Sequence, residues 1–152
     1  MRSPDRPKPK EDDMTASSDR LLRRTLWANA ILSVGSGALL AALATPVAKM
    51  ATQAPLQVLG MDLALVLELL GLGFVVFGAV CGWVASRPDM PLGWARAIFL
   101  LDASWVVISA VLLMLPASWT GAGIAGIVVV ALIVADLAIL EYLGLRRIRT
   151  AH

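Results

Sequence analysis

Three acids carry the most chemical information in this chain, because they stand where a carboxylate is costly. Glu68, Asp102 and Asp136 lie inside long apolar runs. A charged side chain at the bilayer centre costs at least ~2–3 kcal/mol on insertion scales, so each acid is expected to face protein or water rather than lipid. Depth follows from counting turns. Asp102 lies sixteen residues before Ser118, near the middle of a short connector, and Asp136 eighteen after it. In an antiparallel hairpin that offset is ~3 Å along the axis, so the count predicts one layer. Asn29 and Ser33 fall in the same inner half, and Trp105, one turn from Asp102, offers an indole donor. The predicted inner cluster is therefore Asn29, Ser33, Asp102, Trp105 and Asp136. Glu68 falls in the outer half, level with Ser36 and Ser109, as a second polar cluster. If Asp102 and Asp136 converge, like-charge repulsion leaves them sharing a proton or drawing on Asn29 and Trp105 as partners. Two roles fit such acids: interhelical glue, or a proton relay or cation-coupled site. Asp62 and Glu141 lie nearer the span ends and are read as solvated or paired with basic groups. Arg96 is the one cation placed to snorkel toward Asp102 or Glu141.

Other chemistries lack their residues. The one histidine is His152, at the end of the sequence, so two-histidine haem ligation inside a bundle and a Ser-His-Asp set are both excluded. His/Cys metal sites of the usual kind are absent. Cys81 has no CxxC partner and cannot form an internal disulfide; beside Gly82 in an apolar run it reads as a buried, inert thiol. No glycine-rich phosphate loop follows a strand. No enzyme, cofactor or metal is expected.

The elements that must position these residues follow from hydropathy. Hydrophobic residues make up 59% of the 152, charged residues 16%, and the charges crowd toward the two ends. Four apolar segments, at about 25–44, 61–85, 94–115 and 121–145, each supply the ~20 residues a helix needs to cross a bilayer. Lipid offers the backbone no hydrogen bonds, so the spans must be helical. The expected fold is all-α: a four-helix transmembrane bundle at 21–147, between a disordered tail at 1–20 and a short tail at 148–152. Residues 45–60, 86–93 and 116–120 read as loops. Met14 is a candidate second start.

Twelve of the thirteen Lys and Arg residues lie on one side of this arrangement: seven in the N-terminal tail, Arg87 and Arg96 about the second connector, and Arg146, Arg147 and Arg149 at the end. Lys49 alone lies opposite. By the positive-inside rule both termini are cytoplasmic, and Trp27, Trp83, Trp94 and Tyr142 fall at the matching boundary. A competing reading takes the first span as a signal peptide cleaved after Ala42-Leu43-Ala44. The basic pI reflects two short basic ends and not nucleic-acid binding. Gly37, Gly71, Gly78 and Gly82 are the candidate helix-packing glycines. Gly78-x-x-x-Gly82 lets backbones approach closely, either inside the bundle or at a homodimer seam. Gly121, Gly123 and Gly126 open the fourth helix as close packing or as a flexible turn.

The stretches LWANAILSVGSGALL, FLLDASWVVISAVLLML and ADLAILEYLGLRR resemble a group of small bacterial four-span membrane proteins of unassigned function. The second-helix stretch LVLELLGLGFVVFG is similar to DoxX-like four-span proteins over that segment only. Neither resemblance carries functional residues over. The expected function is a non-enzymatic accessory subunit of a membrane complex, or a small binding bundle, in the bacterial inner membrane. The expected partners are the lipid bilayer and other membrane subunits or further copies of the chain. The competing expectation is an oligomeric small transporter or proton-coupled carrier using the intramembrane acids.

Overall fold

A computed structural model describes residues 9–115 and 118–150, with side chains at 20–115 and 118–147. The expectation of disorder at 1–8 lies outside the described residues. The described residues are all-α but for one small hairpin, and among them are five helices: α1 Pro9–Ala42, α2 Ala44–Ala51, α3 Leu63–Ser86, α4 Leu92–Met114 and α5 Gly121–Thr150. Four helical segments are long and apolar enough to cross a membrane: Arg20–Ala42, Leu63–Ser86, Leu92–Met114 and Gly121–Arg147.

Two boundaries differ from expectation. The N-terminal tail is helical from Pro9, continuous with α1. Proline suits the first position of a helix, since its missing N–H would have no intrahelical partner there. The C-terminal tail is likewise helical through Thr150. The first connector is also more ordered than a plain loop. It holds α2, which accepts Pro46 in its first turn because that N–H has no intrahelical partner. A small hairpin follows, β1 Gln57–Val58 against β2 Met61–Asp62. Its turn residues Leu59 and Gly60 have φ 53° and 79°. This turn demands two left-handed residues, and leucine fills one of them at a steric cost. Asp62 then caps α3, accepting from the Leu65 N–H at 2.8 Å.

Helix α1 is the hub. Against α3 it packs through glycines: a Cβ on Gly37 would lie 2.6 Å from the Gly71 carbonyl oxygen, and one on Gly78 2.8 Å from that of Ala30. Gly82 makes only ordinary contacts. The close seam therefore uses Gly71 and Gly78, seven residues apart, rather than the Gly78/Gly82 pair, and it lies inside the bundle. Against α5, α1 packs through Leu22, whose side chain meets Gly144. Helix α4 packs closely on α5, whereas its backbone approaches that of α3 at few points. Cys81 is buried in the apolar core at one end, with Leu22, Leu26, Val84, Ala95, Ile98 and Leu145.

Both ends are tied by hydrogen bonds. At the core end, the Arg23 guanidinium donates to the carbonyls of Ala85 (2.5 Å), Arg87 (2.6 Å) and Pro88 (3.2 Å). It thus satisfies carbonyls at and after the end of α3, where the helix dipole favours a cation. Trp83 packs edge-on against Trp94 at 5.9 Å, with Arg87 stacked 4.6 Å over the Trp83 ring. At the opposite end the Gln53 N–H donates to Ser118 and the Thr120 N–H to Ala51, both at 2.9 Å. Thr120 caps α5 by accepting from the Gly123 N–H at 3.0 Å. A Cβ on Gly123 would overlap the Ala51 carbonyl, whereas Gly121 and Gly126 face open space. Close packing thus explains the first of these glycines and not the other two.

Replacing Arg23 by alanine removes three charge-assisted bonds from the α3–α4 connector. The expected cost is ~1–3 kcal/mol, because the site is half-buried and wet at its edge. In mild detergent the backbone amides of Arg87, Asp89 and Met90 should exchange with deuterium several-fold faster in the Arg23→Ala protein than in wild type. Unchanged exchange would remove Arg23 from the connector's support.

Candidate functional site

The bundle's interior polar site is built on one turn of α1. Helical periodicity puts Leu22, Thr25, Leu26, Asn29 and Ala30 on a single buried stripe. Asn29 is only 2% exposed. Its amide nitrogen donates to Asp102 Oδ2 on α4 at 2.5 Å and to Glu141 Oε1 on α5 at 3.1 Å. Its oxygen accepts from the Ser33 hydroxyl, one turn along α1, at 3.0 Å. All of the amide's principal hydrogen-bonding capacity is therefore used, and its orientation follows from having two carboxyls on one side and a hydroxyl on the other. Asp102 is 5% exposed and Glu141 fully buried. Both carboxyls thus draw on the one amide nitrogen, and among the described residues no donor reaches the buried Glu141 Oε2.

This geometry revises the predicted inner cluster in one member. Asn29, Ser33 and Asp102 come together, and Trp105 lies one turn along α4, its ring edge-on to Phe74 at 4.9 Å. The Trp105 indole nitrogen is buried and has no hydrogen-bond partner among the described residues. Asp136 does not join; it is exposed on the outside of α5. Glu141, expected near an interface with a basic partner, takes its place. Arg96 is exposed, and no ion pair joins it to either acid among the described residues.

The reason lies in the connector. Counting outward from Ser118 treats α4 and α5 as equal arms, but the chain after α4 pairs with 51–53, so α5 starts at the level where α2 ends. Asp102 is ~18 Å of helix before Met114, while Glu141 is ~30 Å after Gly121. The ~12 Å difference is within the ~20 Å reach of a six-residue connector. Rotation completes the argument. Residues 136 and 141 are about 140° apart around a helix, so when one faces α1 the other faces away. The signal for Glu141 was in the sequence: Leu137, Ala138, Glu141, Gly144 and Leu145 recur at helical spacing, and all are buried.

The predicted outer cluster does not assemble. Ser36 donates back to the Leu32 carbonyl at 2.6 Å, Glu68 is exposed on α3, and Ser109 is buried on α4. Beside the inner site lies a cleft of about 320 Å³ that touches all four long helices and is lined largely by apolar side chains. Asn29, Ser33, Asp102 and Trp105 contribute its polar part. Among the described residues, no group of three or more His, Cys, Asp or Glu is placed to hold a metal ion. Compared with known proteins, the chain matches no family, no curated protein and no solved structure.

Substitutions at Asn29 test the bridge. Asn29→Leu removes both donors and leaves two carboxyls facing each other. Single interhelical bonds in a membrane protein average ~0.6 kcal/mol, and two lost together with a stranded acid pair should cost ~1–3 kcal/mol. Asp102→Asn keeps an acceptor for Asn29 and should stay within ~1 kcal/mol of wild type. Reversible unfolding in mixed micelles reads both values. Equal stability of Asn29→Leu and wild type would show that the bridge does not hold the helices.

Proposed function

We propose that the chain is a non-enzymatic accessory subunit of a membrane complex, a multi-pass bundle of the bacterial inner membrane with both termini cytoplasmic. The observation that carries this reading is Asp136. It lies fifteen residues after Gly121 and eleven before Arg147, near the middle of its span, and is exposed. On the same face of α5 stand Val129, Leu132 and Leu140, all exposed. An apolar stripe with one acid at mid-membrane is a poor surface for lipid, since an intramembrane Asp costs ~2.5–3.5 kcal/mol unless a partner or water receives it. A neighbouring transmembrane helix with a hydrogen-bond donor relieves that cost. Glu68, exposed in the outer part of α3, adds a second position that favours a protein or aqueous neighbour. The orientation rests on charge: Arg23, Arg87, Arg96, Arg146 and Arg147 belong to the helix ends that the antiparallel connections bring to one side, together with Trp83 and Trp94.

A second reading, a small proton-coupled carrier working as an oligomer, draws on the buried Asn29–Asp102–Glu141 site beside an open cleft. Intramembrane acids of this kind often belong to ion or substrate pathways.

The two readings separate by what touches α5. A photo-crosslinking residue at Leu132, in native membranes, should capture a different membrane protein, and Asp136→Leu should weaken recovery of that partner several-fold in mild detergent. A product at twice the 16.1 kDa chain mass supports the oligomeric carrier instead. That result would be followed by proton flux in liposomes, which Asp102→Asn should abolish. If only uncrosslinked chain is recovered and Asp136→Leu changes nothing, the subunit reading fails.

A further inference from the structure

We infer that the cleft between the four long helices is a binding site for an uncharged, largely apolar molecule bearing a hydrogen-bond acceptor, such as a carbonyl oxygen, and that the Trp105 indole N–H recognises that acceptor. Three observations converge on this chemistry. The first is space. The cleft holds about 320 Å³, at the small end of the ~300–1,000 Å³ typical of ligand pockets, enough for a compact head whose tail extends out of the site. Phe74, Phe77 and Trp105 give it aromatic walls.

The second is access. The backbones of α3 and α4 approach each other at few points, and the cleft-lining Leu32 and Leu101 are 46% and 58% exposed. The cleft therefore opens sideways, at the depth of the apolar spans. A ligand reaching it by that route comes from the hydrocarbon, which selects an uncharged molecule.

The third is an unmet donor. The Trp105 indole nitrogen is buried without an acceptor among the described residues, although its residue lines the cleft. A buried N–H left unpaired in apolar surroundings costs free energy, and native structures rarely leave one so. The other polar residues that line the cleft already have partners: Asn29 bonds Asp102, Glu141 and Ser33, and the Ser36 hydroxyl bonds the Leu32 carbonyl. The group that is missing is an acceptor. Trp105 lines the cleft and its ring is half-buried, so recognition requires the ring to turn its indole nitrogen toward a bound oxygen. This inference stands apart from the subunit reading, because the cleft faces the bundle interior and Asp136 faces out.

The test uses the full chain labelled with 5-fluorotryptophan in dodecyl maltoside, with the Trp105 resonance assigned by its loss in Trp105→Phe. Three probes share one tail: 2-undecanone has an acceptor only, undecane has none, and undecylamine carries a cationic donor. The ketone should shift the Trp105 resonance saturably, leave that of Trp119 in place, and bind at least tenfold more tightly than undecane. Calorimetry of the Trp105→Phe protein should show ketone affinity reduced to that of undecane, because the ring remains and the donor is gone. Equal binding of ketone and undecane would overturn acceptor recognition. Tighter binding of the amine would assign recognition to the Asp102 carboxyl and overturn the proposal. Displacement of the ketone by phosphatidylcholine at the same midpoint would make the cleft a lipid crevice, with the same consequence.

Discussion

Three of the four long helices meet at one amide. Asn29 donates to an acid on α4 and an acid on α5, and its oxygen is held by Ser33 on its own helix. In lipid there is no hydrophobic force to gather helices, so close packing and hydrogen bonds must do it. The bridge also fixes rotation. With Glu141 turned toward Asn29, α5 presents Gly144 to Leu22 and turns Asp136 outward. The buried polar site and the exposed acid are therefore two consequences of one rotational setting.

The fourth long helix is joined by a different device. Helix α3 contributes no side chain to the bridge; it is held to α1 by Gly37, Gly71 and Gly78, where backbone lies against backbone. The same hub thus uses polar contacts on one side and absent side chains on the other. The ends are fastened separately, by Arg23 over the α3 carbonyls and by the pairing of 51–53 with 118–120. The flank between α3 and α4 has few close backbone approaches and is bridged by side chains, Phe74 against Trp105 and Trp83 against Trp94. The cleft beside Asp102 and Trp105 accompanies that sparse backbone contact.

The division between legible and illegible features has a physical basis. Four spans were readable because twenty apolar residues in a row have one economical solution in a bilayer. Asn29, Ser33 and Asp102 were readable as interior because polar groups in such runs need one another. The acid on α5 was misassigned because sequence spacing measures depth only if the connector is symmetric. Here Thr120 and Gln53 anchor it to another element, and α5 begins further along the axis than α4 ends. A stripe count over Leu137, Ala138, Glu141, Gly144 and Leu145 carried the right rotation, since small and apolar residues recur on the buried face whatever the connector does. The glycine seam shows the same limit. A GxxxG spacing marks a possible close approach, but the partner's position chose Gly71 with Gly78 and left Gly82 in ordinary contact.

The register of α5 against α1 is the claim on which the rest depends, and it can be measured without touching the polar bridge. Leu22 and Leu145 share one buried cluster, while Leu140 lies on the exposed face with Asp136. In a Cys81→Ala background, Leu22→Cys with Leu145→Cys should form an intramolecular link rapidly under mild oxidation or with a short thiol cross-linker. Leu22→Cys with Leu140→Cys should form none within the same chain. Linking of the second pair in place of the first would put Asp136 inside, and would contradict the account at its base.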